Sequence, residues 1–241
     1  MLKRFLLAIR DIVYPKICLA CKEKTDKRAV DNLICSRCWQ EIKRNTPPFC
    51  YSCGRTLKGK HMRKNICANC VKQSFYFDRA FSPCVYTDII QELIHQFKYK
   101  GKDYLARPLS RMMIDFIREF HIPIEYMDYV MPMPLHSSRL RWREFNQAEM
   151  LGRYIAEEFN KPLLSDLLVR RYPTLAQAEL MPQKRISNVK GCFKVKDKTL
   201  VNGKKILLVD DVLTTGATSS EAAFTLKDAG ANIVFLMTLA S

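Results

Sequence analysis

The chain of 241 residues lacks any apolar run of the roughly 18–20 residues that a membrane-spanning helix requires. Its start, M-L-K-R-F-L-L-A-I-R-D-I-V-Y-P, carries charges and lacks a small-residue cleavage site, which argues against a secretory signal peptide. Apolar residues between Leu2 and Val13 recur at helical spacing and predict a helix that docks on the main domain, with membrane-surface contact as the alternative. We therefore expect a cytoplasmic protein, with peripheral association at the inner membrane face as the second option.

Acidic residues are also scarce. There are 24 Asp and Glu against 40 Lys and Arg, so the formal charge is +16. The imbalance is strongest in residues 1–78, which hold 17 basic and 6 acidic side chains. A basic chain of this kind favours polyanionic partners. The hydrophobic fraction of 48% and the charged fraction of 27% are otherwise typical of a soluble globular protein, long enough for one core and a smaller module.

Cysteines, in contrast, are abundant, and eight of the ten form a tandem repeat with an offset of 32 residues. Each C-x-x-C turn brings two sulfurs together, and two such turns complete a tetrahedral Cys₄ zinc site. All four positions would be thiolates, so the two zinc ions are predicted to be structural. The spacing allows the sites to close sequentially or to interleave. The predicted ligands are Cys18, Cys21, Cys35, Cys38, Cys50, Cys53, Cys67 and Cys70.

The segment Lys205 to Thr218 reads K-I-L-L-V-D-D-V-L-T-T-G-A-T. Its apolar run predicts a strand buried on both faces of a parallel sheet, with Asp210 and Asp211 at the carboxyl end where such sheets place ligands. Backbone N–H groups and hydroxyls at the following helix start can cradle a phosphate. Adjacent acids beside a phosphate cradle make sense if they accept bonds from sugar hydroxyls or share Mg²⁺ with the ligand. The predicted cradle is Leu213, Thr214, Thr215, Gly216, Ala217 and Thr218.

The rest of the chain alternates between strand and helix patterns, which predicts an α/β fold with a doubly wound parallel sheet. We expect strand-like segments at 79–87, 129–134, 163–169 and 233–239, and helices at 88–98, 105–120, 147–159 and 219–228. The domain boundary is predicted near residue 76. Residues 1–76 would then form the N-terminal helix and double zinc ribbon, and residues 77–241 the larger domain.

Two irregular segments carry further charge. Residues 135–147 follow a strand end and concentrate Arg139, Arg141 and Arg143, which suits a diphosphate. Residues 170–193 lack periodicity and are predicted to form a lid over the ligand.

The Asp210–Asp211 segment resembles the phosphoribosyl pyrophosphate (PRPP) motif of type I phosphoribosyltransferases, and the whole chain resembles the ComF family. That family joins a double zinc ribbon to a phosphoribosyltransferase-like domain. The chain differs from the family pattern at Glu144, where glycine is usual. The matching residues outside the acidic motif are Pro132, Pro134, Leu135, His136, Arg139, Arg143, Phe145, Asn146 and Gln147, followed by Gln177, Leu180, Arg185, Asn188 and Phe193.

The resemblance implies that Asp210 and Asp211 hold the ribose hydroxyls of PRPP and that Leu213–Thr218 hold its 5′-phosphate. It also implies a role in natural transformation, in which the chain handles imported single-stranded DNA together with a competence helicase or other DNA-processing proteins. The alternative is an active phosphoribosyltransferase, with Mg²⁺, Arg139, Arg141, Arg143 and Arg185 stabilising the departing diphosphate and an unidentified base or amine as acceptor. Basic and aromatic residues that alternate in segments 97–102 and 139–145 fit single-strand binding.

Overall fold

The computed structural model describes residues 16–57, 65–173 and 189–241. A four-stranded, wholly parallel sheet with the order β1-β6-β5-β2 forms its centre, and a separate antiparallel pair joins β3 to β4. This parallel sheet flanked by helices confirms the predicted fold class. The strands are β1 Arg79–Phe81, β2 Tyr129–Pro132, β3 Leu168–Arg170, β4 Phe193–Val195, β5 Lys205–Val212 and β6 Ile233–Ala240.

Seven α-helices lie in the described part of the chain, and those predicted from apolar periodicity are present to within two residues at each end. Short 3₁₀ turns at Asp103–Leu105 and Ile124–Tyr126 lead into the element that follows each. The helices are α1 Ser36–Glu41, α2 Ala68–Val71, α3 Asp88–Tyr99, α4 Ala106–Glu119, α5 Ser137–Arg143, α6 Gln147–Glu158 and α7 Ala217–Asp228.

Strand β5 divides the core because its side chains alternate between the two faces of the sheet. Leu207 and Val209 pack with α3, α4 and α6, whereas Ile206 and Leu208 pack with α7 and the β3–β4 pair. All four side chains are at most 1% exposed, as expected for a strand covered on both sides. The sheet is therefore doubly wound, and the carboxyl end of β5 is framed by elements from both layers.

The two cysteine clusters lie on opposite sides of this core. Cys18, Cys35 and Cys38 belong to the hydrophobic cluster that contains α3 and α4, while Cys50 and Cys53 belong to the cluster that contains α7. The first ribbon is therefore placed beside α3, and the second is placed beside the start of α7.

Three sequence predictions require correction. The strand expected at 163–169 is β3, Leu168–Arg170, which pairs antiparallel with β4, and Leu163 makes only an isolated bridge with Val130. The polar pair at 165–166 interrupts the apolar run, so one strand cannot extend across it. The strand expected at 79–87 ends at Phe81, and residues 135–147 contain helix α5 where a loop was expected.

The predicted lid is described only at its base, since β3 and β4 lie at its two ends and residues 174–188 fall outside the described residues. The predicted N-terminal helix also falls outside them. Within the described ranges, no helix combines the length and apolar character needed to cross a membrane.

Candidate functional site

Each cysteine cluster brings together the four sulfurs of one half of the repeat. The four sulfurs of Cys18, Cys21, Cys35 and Cys38 lie within 4.8 Å of one another, and so do those of Cys50, Cys53, Cys67 and Cys70. All these cysteines are free thiols. Sequential closure is thus what the structure shows, and the interleaved alternative is excluded.

The dimensions of both clusters fit zinc. Zinc–thiolate bonds of about 2.3 Å in a tetrahedron place sulfurs about 3.8 Å apart. The Sγ atoms of Cys21 and Cys35 are 3.8 Å apart, and those of Cys53 and Cys67 are 3.7 Å apart. Backbone N–H groups support the sulfurs in the same way in both ribbons: Cys35 donates to Cys18 Sγ at 3.3 Å, and Cys67 donates to Cys50 Sγ at 3.3 Å.

The paired acids lie at the carboxyl end of β5, where the sheet opens toward α3. Asp211 forms an ion pair with Lys98 of α3, with 2.8 Å between Oδ1 and Nζ. The two side chains are 12% and 18% exposed, respectively, so solvent screens the pair only weakly. The N–H of Asp211 donates to Oδ1 of Asp210 at 2.8 Å, which fixes the orientation of the first carboxylate.

Both the acid pair and its cation have shifted pKa values. Burial of the carboxyl, together with the adjacent Asp211 charge, raises the pKa of Asp210 to about 7, although the Lys98 ammonium opposes the shift. Burial tends to lower the pKa of Lys98, but the charges of Asp211 and Asp210 outweigh it and raise that pKa above its ordinary value. The site therefore keeps a cation beside an acid that titrates near neutrality.

Two arginines add positive charge near Lys98 and the acid pair. Arg143 of α5 places its guanidinium 4.9 Å from the ring centroid of Tyr99 and lowers the pKa of Lys98 by its charge, so it lies near the acid pair. Arg170 of β3 stacks over Phe193 at 5.5 Å and interacts with the charge of Asp210. Burial lowers the pKa of Arg170. Among the other predicted arginines, Arg139 is half-buried on α5, Arg141 is exposed, and Arg185 lies outside the described residues.

Several residues between His136 and Gln147 shape the backbone. His136 and Asn146 cap α5 and α6 through bonds from Ser138 N–H and Ala148 N–H. Gln147 is 1% exposed and links α6 to α3 because its amide donates to the carbonyl of Phe97 at 3.3 Å. Its Oε1 also accepts a bond from Arg143 at 3.1 Å. These residues fix the position of Arg143.

Residues Leu213–Thr218, here called the anion loop, connect β5 to α7. The N–H of Leu213 donates to Ala240, and Gly216 is the N-cap of α7 with φ of 78°. The N–H groups of Thr214, Thr215 and Gly216 donate no hydrogen bond within the described ranges. Three open backbone donors therefore lie beside a helix start, an arrangement that suits an anion.

The second zinc ribbon contacts the carbonyl groups of this loop. Arg55 Nη2 donates to the carbonyls of Leu213 and Thr214 at 2.7 and 2.8 Å. Gln73 Nε2 donates to the carbonyl of Thr215 at 3.1 Å. The loop is therefore held by the zinc module as well as by its own domain.

The two aromatic and basic segments meet in space. The rings of Tyr99 and Trp142 are 5.6 Å apart, and their side chains are 45% and 67% exposed. Phe97 and Phe145, in contrast, pack together with 5.6 Å between their ring centroids, and Phe97 is fully buried. The segments thus contain both core aromatics and an exposed pair, and the exposed pair lies next to Arg143.

Sequence reasoning missed Lys98, Arg170 and Arg55 as partners of this region. A signal for Lys98 was present, since it follows Ile94 by four residues and so shares the apolar face of α3. No local pattern identifies Arg55 or Arg170, because both reach the site through contacts between residues far apart in the chain.

Comparison with known proteins supports both parts of this architecture. A family model described as a double zinc ribbon domain matches residues 9–76, and one described as a phosphoribosyl transferase domain matches residues 146–241. Competence protein F of Haemophilus influenzae is 29% identical over 204 residues, which cover 83% of this chain and 86% of the relative.

Two further relatives span similar lengths. DNA utilization protein YhgH of Escherichia coli strain K12 is 28% identical over 83% of this chain and 87% of its own. Competence protein ComFC of Bacillus subtilis is 26% identical over 90% of this chain and 91% of its own. The predicted resemblance is confirmed: the chain carries a double zinc ribbon domain and a phosphoribosyl transferase domain, and over most of its length it is similar to competence protein F and ComFC.

Proposed function

We propose that this chain binds PRPP or a related phosphoribosyl nucleotide at the carboxyl end of β5. The observation that carries the proposal is that two acidic side chains and a group of open backbone donors lie within one short segment. Asp210 and Asp211 offer carboxylates, and the three open N–H groups of the anion loop follow within a few residues. Carboxylates suit the ribose hydroxyls and backbone donors suit the 5′-phosphate, so the segment matches both ends of a ribose phosphate.

The diphosphate of PRPP would lie toward the cations around the acid pair. Lys98, Arg143 and Arg170 surround Asp210 and Asp211, and Arg139, Arg141 and Arg185 remain further candidates. Mg²⁺ would be held by the acidic side chains and would neutralise phosphate charge when bound. The Lys98–Asp211 pair keeps the region from becoming strongly negative, which would otherwise repel the ligand.

Calorimetric titration of the zinc-loaded protein with PRPP and Mg²⁺ tests the binding proposal. We expect saturable binding by wild type and strongly weakened binding by Asp210→Asn/Asp211→Asn, with the zinc content unchanged. Lys196→Gln, an exposed position just beyond β4, is the matched control and should bind as wild type does. Equal affinity of the wild type and the double variant for PRPP would contradict the proposal.

In its cellular role we propose that the chain handles imported single-stranded DNA during natural transformation. The relatives' names, competence protein F and ComFC, support the setting. The exposed Tyr99–Trp142 pair beside Arg143, with exposed Lys100 and Arg141 on the same two segments, provides a stacking surface within a basic region. A competence helicase or another DNA-processing protein would be the partner that delivers or receives the strand.

Fluorescence provides a direct test of the DNA role, since Trp142 is one of only two tryptophans. We expect labelled single-stranded DNA to quench its emission, and Trp142→Ala to weaken DNA binding about fivefold or more. Binding should also fall steeply with salt. The control is Tyr126→Ala, which removes an aromatic ring that is 70% exposed elsewhere. Identical DNA affinities of all three proteins would exclude the Tyr99–Trp142 surface.

The second candidate function is phosphoribosyl transfer to a base or amine. The ring of cations around the acids favours it, because such groups stabilise a departing diphosphate. Purified protein would receive PRPP, Mg²⁺ and a pool of bases, and pyrophosphate release would be followed. Release by wild type but not by Asp210→Ala/Asp211→Ala supports the transferase; PRPP and DNA binding without turnover supports a binding protein.

A further inference from the structure

The second zinc ribbon contacts the anion loop through its carbonyl groups, and this determines the direction of the loop's N–H groups. Arg55 holds the carbonyls of Leu213 and Thr214, and Gln73 holds that of Thr215. In a trans peptide, the carbonyl of one residue and the N–H of the next point in opposite directions. The peptide bonds of this loop are trans.

It follows that three consecutive N–H groups point away from the ribbon. They belong to Thr214, Thr215 and Gly216, the residues whose N–H groups donate to nothing in the described part of the chain. The ribbon side chains therefore act on the backbone of the loop and leave its donors facing the ligand side. Gly216 gives the end of the loop conformational freedom, so contacts from outside the loop help to fix the direction of its peptide planes.

Packing at the end of the loop reinforces this contact. Gly216 lies against the ring of Phe75, and a Cβ at this glycine would lie 2.5 Å from Phe75 Cε1. Phe75 in turn stacks on Phe77 at 4.7 Å. The N–H of Tyr76 donates to Ser220 Oγ in the first turn of α7 at 3.1 Å. The ribbon thus fixes both the loop and the start of its helix.

The positions of the two donors tie them to the metal site. Arg55 follows Cys53 by two residues and Gln73 follows Cys70 by three, so each extends from one C-x-x-C turn of the second ribbon. In the first ribbon the positions 32 residues earlier are Glu23 and Glu41, whose carboxylates cannot donate to a carbonyl. The two halves of the repeat therefore differ at the two positions that touch the loop.

We propose that Arg55 and Gln73 are positioning residues that orient the Thr214, Thr215 and Gly216 amides toward a ligand phosphate, which makes the second zinc ribbon part of the phosphate site. The inference rests on the proposed binding of a 5′-phosphate by this loop. The competing interpretation is that these contacts only attach the ribbon to the domain. The two interpretations differ in which ligands lose affinity when the contacts are removed.

Three probes separate them: PRPP, ribose 5-phosphate and magnesium pyrophosphate, each titrated into zinc-loaded protein. Ribose 5-phosphate reports on the anion loop, whereas pyrophosphate reports on the cations near the acid pair. Arg55→Met keeps the aliphatic stem and removes the donors. We expect it to weaken PRPP and ribose 5-phosphate by similar factors of about 10- to 100-fold while magnesium pyrophosphate binds as in wild type. Arg55→Lys, which retains a charged donor, should recover part of the loss.

A second test variant and a matched control complete the set. Gln73→Met should produce a smaller loss in the same two ligands, since it removes one neutral donor. Lys43→Met breaks an exposed ion pair between the zinc module and Asp88 that makes no contact with the loop, and it should leave all three affinities unchanged. Zinc content and the unfolding midpoint of each variant confirm that it is folded.

The outcomes also distinguish failure of the inference from failure of the proposed function. If wild type binds ribose 5-phosphate and Arg55→Met and Gln73→Met bind it equally well, the positioning role is wrong and the binding site stands. A loss that extends equally to magnesium pyrophosphate indicates simple attachment and also overturns the positioning role. If wild type binds neither PRPP nor ribose 5-phosphate, the proposed function is overturned, and the inference with it.

Discussion

The ammonium of Lys98 lies 2.8 Å from a carboxylate oxygen of Asp211, and this pair joins α3 to the carboxyl end of β5. The residues are 113 positions apart in the chain, so the contact exists only because α3 packs against the same face of the sheet as α4 and α6. It places a fixed positive charge beside two adjacent acids, in surroundings where neither charge is well solvated.

Removal of this cation should destabilise the fold. Lys98→Met leaves Asp211 next to Asp210 without its counter-ion, and we expect a loss of about 2 kcal/mol in the free energy of unfolding. Fully buried pairs lose about 3–5 kcal/mol, but both partners here retain some contact with water. Urea unfolding of the zinc-loaded protein measures the loss.

A double-mutant cycle shows whether the loss comes from the pair. Lys98→Met/Asp211→Asn removes both charges and should be more stable than Lys98→Met alone. Lys100→Met, an exposed lysine just beyond the same helix, is the matched control and should change stability by less than about 0.5 kcal/mol. Additive effects of the two single substitutions would show that the pair contributes no coupling.

The pKa of Asp210 provides a prediction about pH. This pKa is raised from 3.8 to about 7 in the folded protein, so the folded state retains a proton that the unfolded state releases between pH 4 and pH 7. Because the folded state binds this proton more tightly, Asp210 contributes its full stabilisation below about pH 4. That stabilisation is lost as the pH rises through 7. Asp210→Asn cannot titrate, so wild type should lose stability relative to Asp210→Asn across this window.

Ligand affinity should change in the opposite direction. Asp210 accepts bonds from ribose hydroxyls best as a carboxylate, so affinity for PRPP should rise about tenfold between pH 6 and pH 8. Asp210→Asn removes this component, and any change that remains in the variant belongs to the ligand's own phosphate groups. A wild-type affinity that varies with pH no more than that of Asp210→Asn would contradict the assignment.

Much of the architecture could be predicted from the sequence, because the signals were local and repeated. The 32-residue cysteine repeat predicted the two Cys₄ clusters, and the apolar run of β5 predicted the central strand. The strand expected at 163–169 was wrong, since a polar pair interrupts its apolar run and the true partner of β3 lies beyond the predicted lid. Arg170 and Arg55 were missed for a related reason: their roles depend on tertiary contacts that spacing does not encode. The spacing placed Lys98 on the apolar face of α3 but did not identify Asp211 as its partner.

Both zinc ions should stabilise the fold, but only the zinc of the second ribbon should also support ligand binding by the anion loop. We expect two zinc ions per folded chain, measured by release to a chromogenic chelator, and loss of cooperative unfolding when both are removed. Cys38→Ser and Cys70→Ser each remove one ligand, from the first and the second ribbon, respectively. Both variants should release one zinc more easily, but only Cys70→Ser should also weaken the binding of ribose 5-phosphate, since Gln73 follows Cys70 closely and contacts Thr215.

This comparison has clear contrary outcomes. A cooperative transition that persists at the same midpoint after complete zinc removal would contradict a structural role for the metal. Equal weakening of ribose 5-phosphate by Cys38→Ser and Cys70→Ser would show that the two ribbons support the anion loop alike. The first ribbon packs with α3 and the second with the loop, so the structure predicts unequal effects.

Glu144 occupies a position that favours glycine. It is the C-cap of α5 with φ of 68°. Residues other than glycine adopt this left-handed backbone conformation at a cost of roughly 1 kcal/mol. Glu144→Gly should therefore raise the free energy of unfolding by about 1 kcal/mol and the melting temperature by about 2–4 °C. Differential scanning calorimetry of the zinc-loaded protein measures both.

The control for Glu144→Gly is Glu144→Ala, which removes the same charge but keeps the Cβ. If backbone strain is the cause, Glu144→Ala should show no comparable gain; if repulsion or attraction by the carboxylate is the cause, the two variants should behave alike. Relief of strain should also steady the end of α5, which carries Arg143 one residue earlier. PRPP affinity of Glu144→Gly should accordingly equal or exceed that of wild type, and a loss of affinity would show that the left-handed glutamate itself contributes to the site.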